Sequence, residues 1–165
     1  MLGRVLILFL AAVTPLQMCS AQATEPRYSI TISPVNTTAK VGSEFRVKIV
    51  QTNTTGENQY FLLDANAPRH GEYLYRIDAW LSDGRSAPRS KYFQEVRDDA
   101  GKLRGGTGGN AVMIRKKPGE SIVSSIDLNE LYDLQPGEYT VQVYQKDSIA
   151  KTTVKSNIIT VTVTP

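Results

Sequence analysis

Leu131-Tyr132-Asp133-Leu134-Gln135-Pro136-Gly137-Glu138-Tyr139-Thr140-Val141-Gln142-Val143 is the stretch on which the fold turns. Pro136-Gly137 signals a turn, because proline presets φ and glycine accepts backbone conformations closed to other residues. After it, Tyr139, Val141 and Val143 alternate with Thr140 and Gln142, which makes one face of an extended strand dry and the other polar. The pattern returns near the end of the chain, where Ile159, Val161 and Val163 alternate with Thr160, Thr162 and Thr164. Two such segments in succession predict the closing strands of an all-β domain.

The same period of two runs back toward the start. Tyr28, Ile30 and Ile32 alternate with Ser29, Thr31 and Ser33 before Pro34 stops them. Phe45, Val47 and Ile49 alternate with Arg46 and Lys48, and residues 59–63 form a short apolar segment. Tyr73, Tyr75, Ile77, Ala79 and Leu81 take one parity of a central strand; Leu74, Arg76, Asp78 and Trp80 take the other. Asp83-Gly84 then marks a turn. Residues 90–96 are expected to be a strand pairing with that predecessor, and 98–102 another turn. Strands are also expected over 111–114 and 121–128. Residues 129–134 are too short for an independent helix and predict a single helical turn. Residues 143–154 read as a hairpin arm around Lys146-Asp147-Ser148. Strands at roughly 8–12-residue spacing, with no long helical period, predict an antiparallel β-sandwich of about seven to nine strands.

The N-terminal 23 residues read differently. Arg4 precedes the apolar run 5–13, which is too short to span a bilayer, and Ala21-Gln22-Ala23 suits signal peptidase. The expectation is a cleaved signal peptide over 1–23 and one domain over 24–165, secreted or periplasmic, with a mature chain starting at Thr24 and Ala21 as the nearby alternative. Cys19 sits where a lipoprotein cysteine would, but Met18 and Gln17 before it are not small, so removal with the signal peptide is the default. The mature chain then has no cysteine and must be held by core burial without disulfides. Roughly 140 residues are enough for that. No later apolar run is long enough for a transmembrane helix.

The net charge of +3 is a mild basic bias. Its clusters are Arg115-Lys116-Lys117 and Arg85, Arg89 and Lys91, and no aromatic residues interleave them in a nucleic-acid platform. Solvated strand ends and loops are the expectation, with no nucleic-acid partner.

Leu134-Gln135-Pro136-Gly137-Glu138-Tyr139-Thr140-Val141 resembles the approach to the penultimate strand in fibronectin type III and related immunoglobulin-like domains. The resemblance implies an immunoglobulin-like sandwich in which Tyr139 ties the turn to the strand as a tyrosine corner, with Tyr132 as the other candidate. The longer string Pro118-Gly119-Glu120, Ile126-Asp127-Leu128, Leu131-Tyr132-Asp133-Leu134 and Gly137-Glu138-Tyr139-Thr140-Val141 is similar to immunoglobulin-like modules of secreted bacterial proteins. Some of these precede deuterolysin-type metalloproteases, and others resemble BsuPI-type proteinase inhibitors. The His-Glu-x-x-His motif of the proteases is absent, so no peptidase activity carries over.

Little in the chain points to catalysis. His70 is the single histidine, in a Pro/Gly-bounded loop, and without cysteine or histidine partners it builds no zinc site. The glycine loop 105–110, with Gly106 and Gly108, lacks the Gly-Lys-Ser/Thr continuation of a phosphate loop. Asp98 and Asp99 supply too few oxygens for calcium. Asn36-Thr37-Thr38 and Asn53-Thr54-Thr55 are glycosylation sequons, of consequence only in a eukaryotic host. No cofactor or metal is implied.

The expectation is therefore an exported, non-catalytic binding module that meets an extracytoplasmic protein through loops near His70, Arg85, Arg89, Gly106 and Gly108. Trp80 and Tyr92 are candidate aromatic contacts if they share an outward face. A proteinase inhibitor acting by loop insertion, whose partner would be a protease, and an unrecognised hydrolase are the alternatives.

Overall fold

The computed structural model describes residues 25–64, 75–96 and 111–165. The signal-peptide segment with Cys19, the loop residues His70, Gly106 and Gly108, Tyr73 and the Asp98-Asp99 turn lie outside the described residues.

The fold is all-β. One sheet is antiparallel and has the order β1 (Tyr28–Pro34), β3 (Arg46–Asn53), β7 (Ser121–Asp127). The other has the order β2 (Thr38–Lys40), β10 (Ile159–Thr164), β8 (Gly137–Asp147), β5 (Arg76–Leu81), with β9 (Thr152–Lys155) also on β8. β2 runs parallel to β10, the exception in an otherwise antiparallel set. β4 (Gln59–Asp64) and β6 (Ala111–Lys116) pair as a separate two-stranded ribbon. It prolongs the β3–β7 pair, because the Asn53 N–H donates to Glu120 O and the Gly119 N–H to Asn53 O between the two ladders.

The alternation in the sequence decides which faces meet. Tyr28, Ile30, Ile32, Val47, Ile49, Ile122 and Ile126 of the first sheet share one buried cluster with Ile77, Ala79, Tyr139, Val141, Val143, Val161 and Val163 of the second. Each such aliphatic side chain taken fully from water contributes about 1.5–3 kcal/mol, so these two rows hold the layers together. The Tyr139 hydroxyl, buried at the sheet end, donates to Gln135 O and accepts from the Gln135 N–H, both at 3.0 Å, which closes the Pro136-Gly137 turn onto its strand. Tyr132 is engaged elsewhere: its hydroxyl donates to Ile77 O at 2.7 Å.

Two local expectations change. Residues 90–96 do not form a strand; Lys91–Val96 is a helix, α1. Ser90 caps it, its Oγ accepting from the Phe93 N–H at 3.0 Å, and its carbonyl takes the Gln94 N–H. A serine before a short amphipathic run is an N-cap preference that outweighed the strand reading. What pairs back onto β5 is the segment after its turn, through the Trp80–Ser86 bridge and the Ala87 N–H to Ala79 O bond. The helical turn expected at 129–134 is α2 (Leu128–Leu131), one residue earlier, because Asp127 caps it by accepting from the Asn129 N–H. The same carboxylate accepts from the Phe45 N–H at 2.9 Å, which joins the turn to the start of β3.

Candidate functional site

β5, β8 and the β9–β10 edge turn their polar parity outward, and that face carries the most chemistry among the described residues. Ile77 and Ala79 point to the core, so Arg76, Asp78 and Trp80 point away from it. On β8, Val141 and Val143 are buried, so Thr140, Gln142 and Tyr144 face outward beside them. The register sets three rows: Trp80 against Thr140, Asp78 against Gln142, and Arg76 against Tyr144. Lys155 of β9 stands on the far side of Tyr144.

The third row is a cation–aromatic–cation stack. Arg76 Cζ lies 5.4 Å from the Tyr144 ring centroid, and Lys155 Nζ lies 5.8 Å from it. Each such contact contributes about 0.5–1 kcal/mol at an exposed site. Asp78 fixes the guanidinium by accepting from Nε at 3.1 Å and from Nη2 at 2.7 Å. The Tyr144 hydroxyl donates to Gln142 Oε1 at 2.6 Å, while Gln142 Nε2 donates to Ser156 O at 2.8 Å. Burial pushes the Tyr144 phenol above its ordinary pKa, Asp78 adds to that, and Arg76 opposes it. These side chains are thus held in place by one another. Trp80 lies about 13 Å from Tyr144 along the strands, counting four residues of rise, and is half-buried.

At the end of this face the chain turns through residues 148–151. Asp147, 1 % exposed, accepts from the Ile149 N–H at 3.0 Å and the Ala150 N–H at 3.1 Å, which fixes the turn. The carboxylate is in turn gripped by Arg27, through Nη2 at 2.9 Å, Nε at 3.1 Å and the backbone N–H at 3.1 Å. Burial alone would raise the Asp147 pKa; the Arg27 side chain, then the N–H groups of Ala150, Arg27 and Ile149, outweigh it and hold it at about 2. Below lies a buried amide pair, with Gln51 Nε2 donating to Gln145 Oε1 at 2.7 Å and the Tyr75 hydroxyl to Gln51 Oε1 at 3.2 Å.

The other residues singled out from sequence are placed as follows. Arg85 is exposed but bound within its own turn, its Nε donating to Asp83 Oδ2 at 2.7 Å and its N–H to Asp83 Oδ1. Gly84, at φ 84°, supplies the left-handed residue that turn requires. Arg89 lies over the Phe93 ring at 4.7 Å and bridges to Tyr132. Tyr92 does not share an outward strand face with Trp80; it is on α1, half-buried against the core. Asn36 is exposed, whereas Asn53 is 1 % exposed and its amide donates to Glu57 O and Lys116 O. Sequence reasoning missed Arg76, Tyr144 and Lys155. The alternation gives the first two a parity but no facing, and their neighbours depend on register across strands far apart in the chain.

Among the described residues, no group of three or more His, Cys, Asp and Glu side chains gathers that could hold a metal ion. Nor is any described helix long and apolar enough to cross a membrane. No family model matches the chain, and no curated protein is similar to it.

Proposed function

We propose that this chain is an exported, non-catalytic recognition module of immunoglobulin-like architecture that binds a protein partner through the outer face of the β5–β8–β10 sheet. The strand order supports the architecture: β1-β3-β7 corresponds to strands A, B and E of such a sandwich, and β5-β8-β10 to C, F and G. The Tyr139–Gln135 tie sits where a tyrosine corner would.

One observation carries the function: the Arg76–Tyr144–Lys155 stack, with Trp80 on the same sheet face further along the strands. Tryptophan, tyrosine and arginine are the residue types that anchor protein interfaces, and here they are pre-ordered on a rigid sheet. The test is capture from the extracellular fraction of the producing organism. Trp80→Ala with Tyr144→Ala is expected to lose a partner that the unaltered chain retains, while circular dichroism shows the variant still folded. Equal capture by both would reject the face as the site. Stoichiometric loss of protease activity on titration would put an inhibitor in its place.

A further inference from the structure

We infer that the β8–β9 hairpin tip is an anchor that inserts Ile149 into an apolar socket rimmed by carboxylates on the protein partner. This deepens the recognition reading above and rests on it. Ile149 is 70 % exposed, the most exposed of the large apolar side chains among the described residues. It does not ride on a loose loop, because Asp147 fixes the N–H groups of Ile149 and Ala150, and Arg27 fixes Asp147. A single aliphatic side chain on a braced turn suits a pocket, since its ordering cost is met before contact.

Lys151 supplies the second observation. It has φ 53°, the left-handed region, and is the one non-glycine residue there among the described residues. Glycine or asparagine adopts that conformation with less strain. A lysine kept there at a conformational cost points to use of its side chain. Its surroundings agree in sign. Lys146, Lys151 and Lys155 are all exposed, and none of the three forms an ion pair among the described residues. Asp147 is buried under Arg27, and Asp78 is taken by Arg76, so the rim of the tip presents cations. An apolar point ringed by lysines is complementary to an apolar hollow ringed by acids. Anionic lipid is the competing occupant, but one isoleucine on a rigid turn offers little area to a bilayer.

A photo-reactive phenylalanine placed at position 149, 144, 123 or 158 of the full chain in its producing cell tests this. Val123 and Ile158 are exposed apolar controls. The expected result is an adduct from position 149, absent from 123 and 158, that maps by mass spectrometry to a protein segment rich in Asp and Glu. Its yield should fall at least about threefold when Lys146 and Lys151 are both replaced by glutamate. An adduct from 144 but none from 149 would leave the sheet face as the site and overturn the anchor. Adducts from neither would overturn both. Labelling from 149 that maps to lipid, with sedimentation on phosphatidylserine vesicles lost in Ile149→Ser, would assign the tip to a membrane instead. A 149 adduct to a segment without carboxylates would equally reject the socket.

Discussion

Arg27 and Asp147, 120 residues apart in sequence, form a partly buried ion pair in which one fully buried carboxylate receives the guanidinium and the main chain of the same arginine. The pair joins the start of the first strand to the hairpin tip, so the folded domain depends on its ionised form. A carboxyl held at about 2 in the fold and near 3.9 when unfolded stabilises the fold above pH 4. That stability is lost as pH falls through the folded value, and it amounts to about 2 kcal/mol. Urea unfolding at a series of pH values should show the drop between roughly pH 4 and pH 2. Arg27→Gln should cost about 3 kcal/mol at neutral pH, because it strands a buried charge, and should flatten that acid limb.

Tyr139→Phe tests the turn tie. The ring still fills its place, but the Gln135 N–H and carbonyl lose their shared partner. The expected cost is about 0.5–1.5 kcal/mol by equilibrium unfolding. A change within a few tenths would mean that water replaces the hydroxyl.

Asn157 closes the outer edge of β1: its Oδ1 accepts from the Ile32 N–H at 2.8 Å and its Nδ2 donates to Ile32 O at 3.0 Å. One side-chain amide thus stands in for a strand neighbour. Asn157→Asp keeps the acceptor, removes the donor and sets a charge against a carbonyl. It should speed hydrogen exchange at Ile32 and increase self-association, since an uncovered edge pairs with other chains.

Lys151→Gly should raise stability by about 1 kcal/mol, because glycine takes the left-handed conformation without a Cβ clash. The same change should weaken partner binding. A rise in melting temperature together with weaker capture separates the binding role of the side chain from any structural one.

Only one of the two sequons is accessible. In a eukaryotic secretory host the chain should carry at most one N-glycan, at Asn36, and Asn36→Gln should abolish the mass shift. A persistent shift would mean that Asn53 is modified before its amide is buried on Glu57 and Lys116.

Rows of period two were legible wherever one face is dry, as at Ile30 and Ile32, Val47 and Ile49, and Val141 and Val143. Burial there follows from alternation alone. Ser90 shows a signal that went unread: the segment 90–96 reads as a strand, and only the fold shows Ser90 capping a helix. The candidate face was half legible. The alternation put Arg76 and Trp80 on one parity without saying which way it faced, and that Lys155 would stand beside Tyr144 follows from a hairpin whose register no single segment carries. The Arg27–Asp147 pair was hidden for the same reason, since arginine and aspartate each look like surface residues until the ends of the chain meet.

The parallel seam between β2 and β10 has a consequence for how the protein is made. Thr38 to Lys40 have no ladder partner until Thr162 to Thr164 have been synthesised, and Arg27 lacks its counter-ion until Asp147 emerges. The nascent chain therefore lacks both links until Asp147 and Thr162 to Thr164 have been made. Such a seam closes a long stretch of chain into one contact, and non-local closures of this kind slow folding.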